Sequence, residues 1–241
     1  MKSTPVRLAD VVQFSWVDGP GNRFVVFTQG CPFDCLACHN PETIAANPPG
    51  TRLSTVGQVL EDIRAVEPYL SGVTVSGGEA TMQWRFVRDL FAEIRSDDQL
   101  ARLTTYVDTN GHALPRVWDE LIPVADGFMV DLKALDPGVH HRLTGRDNEL
   151  VLDSIRYLHA HDRLAEVRLL LVPGFNDSPD QLALTAQWLA AVDPRMRVVV
   201  IGFRPHGVRP EYAGLPEARP EVLDRARAAL AAAGLRSVEL V

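Results

Sequence analysis

Residues 24–41, FVVFTQGCPFDCLACHNP, join a predicted strand to a cysteine-rich loop. The first part, FVVFTQ (24–29), is apolar and rich in β-branched residues, which is typical of a parallel strand buried on both faces. The loop that follows contains all three cysteines of the chain, Cys31, Cys35 and Cys38. Since α/β proteins place their chemistry at the carboxyl ends of such strands, this junction is the first candidate for a functional site.

Three kinds of site compete for the cysteine loop. CLACH (35–39) matches a haem attachment pattern, and three thiols with His39 would complete a zinc site. Three thiolates would alternatively hold an iron–sulfur cluster that keeps one iron without a protein ligand. Neighbouring residues such as Cys38 and His39 rarely reach one tetrahedral ion without strain, so the spacing favours the cluster and leaves zinc as the alternative.

The bulk properties describe an ordinary globular protein. The chain has 241 residues, 46% hydrophobic and 23% charged, which is enough for one large α/β domain. A formal net charge of -7 argues against nucleic acid as a partner, because phosphate binding needs a basic surface. The sequence shows neither a secretory signal nor an apolar run of the ~20 residues that span a membrane, so we expect a cytoplasmic protein. Covalent haem attachment usually follows export, which disfavours haem.

Strand and helix patterns alternate along the chain. The apolar runs predict six strands, at 24–29, 72–76, 103–108, 127–133, 166–172 and 197–203. Helical patterns fall between them, for example after the capping-box pair Thr55 and Gln58 and after Ser178-Pro179. Six such units predict a partial (β/α)6 barrel of the TIM type, with a doubly wound open sheet as the competitor. We expect one domain, 1–241, with a loop at 29–41 and a short tail after about 205.

Polar segments follow every predicted strand. Besides the cysteine loop they are SGGEA (76–80), DTNGH (108–112), Asp131 with Lys133, Arg168, and FRPHGVR (203–209). Each alone could be a turn or a buried ion pair, but six on one rim predict a site. Glu79, Lys133, Arg168 and the glycine backbone would suit the ammonium and carboxylate of an amino acid. His140, His141, His159 and His161 are expected on the solvated surface.

The motifs resemble a known family. C-x3-C-x2-C on the loop after the first strand resembles the radical S-adenosylmethionine (SAM) superfamily. Together, VDGPGNRFVVFTQGCPFDCLACHNPET, VTVSGGEAT, DTNGH, MVDLK and VPGFND resemble the glycyl-radical-enzyme activating enzymes, the group that includes the pyruvate formate-lyase activase. The similarity extends over roughly residues 9 to 205 in the same order.

This resemblance implies a chemistry. It implies a 4Fe–4S cluster on Cys31, Cys35 and Cys38, with SAM bound to the open iron. Reductive cleavage of SAM would give a 5′-deoxyadenosyl radical that removes a hydrogen atom from a glycine of a partner glycyl radical enzyme. The electron would come from reduced flavodoxin or ferredoxin, and the protein would act as a monomer. VDGPG (17–21) would form a flexible lip that admits a peptide loop of the partner.

The resemblance also assigns site residues. Gly77, Gly78 and Glu79 match the segment that holds the methionine part of SAM, and Lys133 and Arg168 match basic positions near its carboxylate. The other expected cofactor contacts are Ala37, His39, Asn40, Thr109, Asp131 and, near the adenine, His206. Asp108, Thr109, Met129 and Asp131 match a monovalent-cation site beside SAM.

Two departures from the family pattern affect the substrate. Ala37 stands where the family often has an aromatic residue, and FRPHGVRPEY (203–212) differs from the activase pattern. Arg204, His206 and Arg209 could clamp an acidic small molecule. Two alternatives therefore stay open: a radical SAM enzyme that acts directly on a small molecule or peptide, and a zinc-binding interaction module without enzymatic activity.

Overall fold

The computed structural model describes residues 3–241, and nine strands cross this part of the chain. They are β1 (Pro5–Ser15), β2 (Arg23–Thr28), β3 (Arg52–Thr55), β4 (Gly72–Gly77), β5 (Thr104–Thr109), β6 (Gly127–Asp131), β7 (Leu164–Leu171), β8 (Arg197–Gly202) and β9 (Ser237–Leu240). All nine belong to one sheet in the order β3-β1-β2-β4-β5-β6-β7-β8-β9.

The sheet is a partial barrel. From β2 to β9 every neighbouring pair is parallel, whereas β1 lies antiparallel to both β2 and β3. The two outer strands, β3 and β9, do not pair with each other, so the barrel stays open. The six predicted strands correspond to β2 and β4–β8, which confirms the expected fold class. The structure adds β1, β3 and β9 to the prediction.

Seven α-helices connect the strands within residues 3–241. They are α1 (Val56–Val66), α2 (Trp84–Ser96), α3 (Pro115–Leu121), α4 (Pro137–Thr144), α5 (Glu149–Ala160), α6 (Pro179–Val192) and α7 (Pro220–Ala232). The predicted caps are present: Thr55 accepts a hydrogen bond from the Gln58 N–H and Ser178 from the Gln181 N–H. No helix in this part of the chain is long and apolar enough to cross a membrane.

Successive side chains along each strand face alternately the hydrophobic core and the inside of the barrel. Val26, Val75, Val107, Val130 and Val167 belong to the hydrophobic core between sheet and helices and are fully buried. The residues next to them in sequence turn to the opposite face, toward the inside of the barrel. On that inner face the carboxyl ends of the strands carry polar groups, namely Ser76, Asp108, Asp131 and Arg168.

The segment after β8 packs on the cysteine loop. Phe203 is fully buried in a second, smaller hydrophobic cluster with Leu36 and Ala37 of the loop and Val139 and Leu143 of α4. The chain then forms a 3-10 turn, α7 and β9, and β9 extends the sheet beside β8. The region after residue 205 therefore completes the sheet edge as well as covering the loop.

Candidate active site

Backbone hydrogen bonds hold the cysteine loop on both sides. The N–H groups of Gly30 and Cys31 donate to the carbonyls of Thr43 and Ile44, at 2.8 and 3.0 Å. Further along the loop, the N–H of Leu36 donates to the carbonyl of Leu143 in α4 at 3.0 Å. The loop is thus fixed between the segment that follows it and the C-terminal turn of α4.

The three cysteines line one cavity at the carboxyl end of the parallel strands. Its volume is about 260 Å³, and all three thiols are free and half-buried. Burial raises the pKa of Cys31 to about 12 and that of Cys35 to about 11, and it also raises the pKa of Cys38. Thiolates at these positions therefore need positive charge nearby, as bound iron would supply.

Zinc and an iron–sulfur cluster need different arrangements of their ligands. Within residues 3–241, no three histidine, cysteine, aspartate or glutamate side chains are placed to bind a single metal ion together. A structural zinc ion holds its ligands at about 2.3 Å in a closed tetrahedron. A 4Fe–4S cluster takes one thiolate per iron, so its ligands stand farther apart. Three free thiols that line one cavity fit a cluster that takes one thiolate on each of three irons.

The glycine pair after β4 permits close contact with the cysteine loop. Gly77 has φ +117°, a conformation that side chains disfavour. A Cβ atom on Gly78 would collide with the carbonyl oxygens of Gly30 and Thr43. Next in the chain, the N–H of Glu79 donates to the carbonyl of Gly30 at 2.8 Å. SGGEA is therefore packed directly against the start of the loop.

Glu79 connects the ends of β4 and β5. Its carboxylate accepts hydrogen bonds from the Thr81 N–H (2.9 Å), the Thr81 hydroxyl (2.6 Å), the Thr109 hydroxyl (2.7 Å) and the Asn110 N–H (2.7 Å). The residue is 2% exposed. Burial raises its pKa, and these hydrogen bonds offset part of the rise. In this arrangement Glu79 orders the cavity wall.

Three ion pairs involve Lys133 and Arg168, the two basic residues of the cavity lining. Lys133 Nζ lies 2.7 Å from Asp131 Oδ2, while Arg168 lies 3.2 Å from Asp108 and 2.7 Å from Glu166. Burial opposes the charges of Lys133 and Arg168, but the carboxylates outweigh it, so the pKa of each base is raised. Burial also raises the pKa of Asp108, against the attraction of Arg168. Both bases are thus charged at the cavity and suit a carboxylate ligand.

Most of the predicted site residues meet at this cavity. Its lining includes Cys31, Ala37, Cys35, Cys38, His39, Asn40, Gly77, Gly78, Glu79, Asp108, Thr109, Asp131, Lys133 and Arg168. Met129 is not part of the lining; it is buried, and its Sδ accepts a hydrogen bond from Arg168 at 3.0 Å. His206 lines a neighbouring cavity, which shares His39 and Asn40 with the first.

The VDGPG segment lies at the other end of the barrel. The hydroxyl of Thr74 donates to the carbonyl of Asp18 at 2.7 Å, and Arg23, at the start of β2, donates to the carbonyl of Pro20 at 3.0 Å. These contacts put the loop at the amino ends of the parallel strands, whereas the cysteine loop follows the carboxyl end of β2. A Cβ atom on Gly19 would lie 3.6 Å from Met129 Sδ, so the loop reaches the barrel interior below the cavity.

Sequence reasoning missed two groups at the cavity. Asn110 donates from Nδ2 to Cys31 Sγ at 3.6 Å, and the Ser76 hydroxyl donates to Asp108 at 2.9 Å. Both residues lie inside motifs that the sequence singled out, SGGEA and DTNGH. Their position after predicted strands is the feature of the sequence that could have identified them as site residues.

Comparisons with known proteins agree with this geometry. The family model of the radical SAM superfamily matches residues 25–186. The chain is 34% identical over 212 residues to the pyruvate formate-lyase-activating enzyme of Staphylococcus aureus (strain USA300), covering 84% of this chain and 82% of that protein.

Solved structures show the same fold. A domain of the pyruvate-formate lyase-activating enzyme from Bacteroides vulgatus ATCC 8482 superimposes with a TM-score of 0.58 at 25% identity, covering 71% of this chain and 99% of that one. A radical SAM methyltransferase from Sphaerobacter thermophilus superimposes with a TM-score of 0.68 at 20% identity, covering 91% and 66%. The second likeness concerns the fold alone.

Proposed function

We propose, from the premise that this chain belongs to the radical SAM superfamily, that it is the activating enzyme of a glycyl radical enzyme. It cleaves SAM reductively and abstracts a hydrogen atom from a glycine of its partner. The observation that carries the proposal is the combination of three free thiols facing the SGGEA wall with 34% identity to an activating enzyme over most of both chains. The family implies a 4Fe–4S cluster and SAM as its cofactors.

The chain's own residues bind and orient these groups. Cys31, Cys35 and Cys38 hold the cluster, which when bound supplies the electron for SAM cleavage. Lys133 and Arg168 offer positive charge to the SAM carboxylate. Gly77 and Gly78 line the cavity and pack so closely on neighbouring backbone that side chains there would collide with it, which keeps this cavity wall against the cysteine loop.

The remaining cofactor contacts come from the cysteine loop, the end of β5 and the segment after β8. Ala37 and Asn40 line the cavity from the cysteine loop, and Thr109 does so from β5. His39 and His206 meet at the neighbouring cavity, beyond the end of β8, on the side that we assign to the adenine. Because His206 is exposed, we assign it a contact with the ligand's outer edge.

A monovalent cation beside SAM belongs to the same proposal. Asp108 is the residue before Thr109, which ends β5, and Asp131 ends β6; Met129 of β6 is the register partner of Asp108. Two carboxylates this close need positive charge nearby, or one of their pKa values must rise. Arg168 and Lys133 already supply part of that charge. A bound sodium or potassium ion would supply the rest and release the two bases toward SAM.

The proposal also includes a cellular location, an electron donor and an oligomeric state. We place the protein in the cytoplasm, where clustered cysteines more often bind metal than form disulfides. The electron donor is reduced flavodoxin or ferredoxin, and the unit that acts is a monomer with one radical SAM domain over residues 1–241.

The test is radical transfer to a partner. The reconstituted, reduced protein is incubated anaerobically with SAM and a glycyl radical enzyme of the pyruvate formate-lyase type, followed by electron paramagnetic resonance. We expect a stable glycine-centred doublet. The same partner with its radical glycine replaced by alanine is the control and should show none. SAM cleavage without any doublet, coupled to conversion of a small acidic compound, would contradict the activase assignment.

The small-molecule alternative is not favoured. It relied on Arg204 and Arg209 as a clamp for an acidic substrate. The guanidinium of Arg209 instead lies 2.9 Å from Asp34, and that of Arg204 lies 3.8 Å from Glu217 and is largely exposed. Neither residue lines the cavity of the three cysteines.

A further inference from the structure

The segment from Phe203 to Tyr212, here called the strap, covers the outside of the cysteine loop. Phe203 is fully buried, and its ring stacks on the His39 ring with centroids 6.0 Å apart. His39 Nε2 also lies 2.9 Å from the carbonyl oxygen of Arg204. Gly207 passes so close that a Cβ atom there would lie 2.9 Å from the His39 carbonyl. The strap is therefore packed against the loop along its length.

Arg209 makes further polar contacts between the strap and the loop. Its Nη1 lies 2.9 Å from Asp34 Oδ1, and its Nη2 donates to the carbonyl oxygens of Asp34 and Cys35, both at 3.3 Å. The guanidinium also lies over the Tyr212 ring, 5.0 Å from its centroid, and the side chain is 25% exposed. Its donors thus face the turn between the first two cysteines.

We propose that Arg209 is a positioning residue for the cluster: it clamps the Asp34–Cys35 turn, and its positive charge raises the reduction potential of the bound cluster. The inference rests on the proposed cluster at Cys31, Cys35 and Cys38. It deepens the proposed function by naming a residue that controls how readily the site accepts its electron.

The clamping part follows from geometry. A planar guanidinium can bond a carboxylate and two carbonyls at once, whereas an ammonium group acts as a point charge. The contacts join residues 174 positions apart in sequence, from Arg209 to Cys35. Loss of Arg209 would leave the Cys35 end of the turn without its bonds to the strap.

The electrostatic part follows from burial. Reduction adds a negative charge to the cluster, and the net charge nearby and solvent exposure set the potential of such clusters. Arg209 Nη2 donates to the carbonyl oxygen of Cys35 at 3.3 Å, so the positive guanidinium lies directly against the backbone of a proposed cluster ligand. The carboxylates beside Arg209 are Asp34 and, at 3.8 Å, Glu211; they are 65% and 57% exposed against 25% for Arg209, so water screens them more than it screens the guanidinium.

Two substitutions separate the two parts. Arg209→Gln removes both the clamp and the charge, whereas Arg209→Lys keeps the charge and loses most of the clamp. Arg204→Gln is the matched control, since it removes one positive charge from the same strap, from a side chain that is 73% exposed. Thermal unfolding followed by circular dichroism shows whether each variant folds as the wild type does.

The readouts are the midpoint potential of the cluster, from a redox titration followed by electron paramagnetic resonance, and the rate of iron loss to a chelator. For Arg209→Gln we expect a more negative potential and several-fold faster iron loss. For Arg209→Lys we expect faster iron loss at a nearly unchanged potential, and for Arg204→Gln neither change. An Arg209→Gln protein that matches the wild type in both measurements would overturn the proposal.

The remaining outcomes are also decisive. An unchanged potential with faster iron loss in Arg209→Gln would overturn the electrostatic part. A shift of the midpoint potential in Arg204→Gln as large as that in Arg209→Gln would do the same. Neither readout involves a partner enzyme, so failure to form a glycyl radical would refute the proposed function without touching this inference. Wild-type protein that binds no cluster would overturn both.

Discussion

The Glu79 carboxylate accepts a hydrogen bond from the backbone N–H of Asn110 at 2.7 Å, and the Asn110 side chain donates to Cys31 Sγ at 3.6 Å. Through these two bonds, the end of β4 positions the end of β5, and the end of β5 reaches the first cysteine of the loop. The order of the cavity therefore depends on one buried carboxylate that contacts none of the thiols by hydrogen bonding.

Glu79→Gln should destabilise the fold. The carboxylate receives four donors, whereas a glutamine amide offers one oxygen and turns an NH₂ group toward other donors. Leaving a buried donor unsatisfied costs about 1–3 kcal/mol, so the free energy of unfolding in urea should fall by about that amount. Glu61→Gln on the exposed face of α1 is the control. Equal stability of the two variants would show that the four contacts do not hold the cavity wall.

Arg23→Lys should also destabilise the protein. The buried Arg23 guanidinium donates five hydrogen bonds, to Thr74, Pro20, Val73 and twice to Thr104, and lies 4.6 Å from the centre of the Tyr106 ring. An ammonium group cannot reach all these acceptors, and each buried acceptor left alone costs about 1–3 kcal/mol.

Urea unfolding measures this effect, with Arg116→Lys on the exposed surface of α3 as the matched control. A loss confined to Arg23→Lys is the expected result. If both variants unfold at the same urea concentration, the amino end of the barrel does not depend on the guanidinium geometry.

The sequence predicts the six central strands because each is a short, largely apolar run between helical patterns. It misses β1, whose residues 11–14 are half-buried or exposed, and β9, whose SVEL is short and half-polar. Both lie at or near the sheet edge, where one side of the strand lacks a covering layer. The short helices α3 and α4 begin at prolines in polar stretches and lack a clear apolar period.

At the site, local motifs were predictable and long-range contacts were not. The thiols and SGGEA are each contiguous in sequence and follow buried strands, so they mark the same rim. The bond from Arg209 to Cys35 depends on how the strap folds back, which no local pattern encodes. The expectation that His140 is solvated was wrong, because α4 buries it beneath Phe33 of the loop at a ring distance of 5.6 Å.

His140 should make the protein sensitive to mild acid. Burial lowers the pKa of His140 from 6.5 to about 4, so between these values the unfolded chain binds a proton that the folded chain does not. Stability from this group is complete above pH 6.5 and is lost as the pH falls toward 4.

The measurement compares unfolding free energies at several pH values in the wild type, His140→Leu and the exposed neighbour variant His141→Leu. We expect His140→Leu alone to flatten the slope across the window. A slope unchanged by His140→Leu would mean that the histidine is charged or hydrated in the folded protein.

The proposed cation site should make SAM cleavage depend on monovalent ions. Formation of 5′-deoxyadenosine by the reconstituted protein should rise when sodium or potassium replaces a bulky organic cation. Asp131→Asn removes one of the two carboxylates and should weaken that dependence, while Asp62→Asn on α1 should retain it. Cleavage by the wild type that is indifferent to the cation would leave Asp131 as the partner of Lys133 alone, at the observed 2.7 Å.

Hydrogen transfer from the partner's glycine tests the central claim most directly. A partner glycyl radical enzyme is prepared with its glycines deuterated at the α-carbon and incubated anaerobically with the reduced protein and SAM. Mass spectrometry of the 5′-deoxyadenosine formed should show deuterium gained in step with the glycine-centred radical. Product that carries no deuterium, although SAM is consumed in the partner's presence, would contradict the assignment of this chain as an activating enzyme.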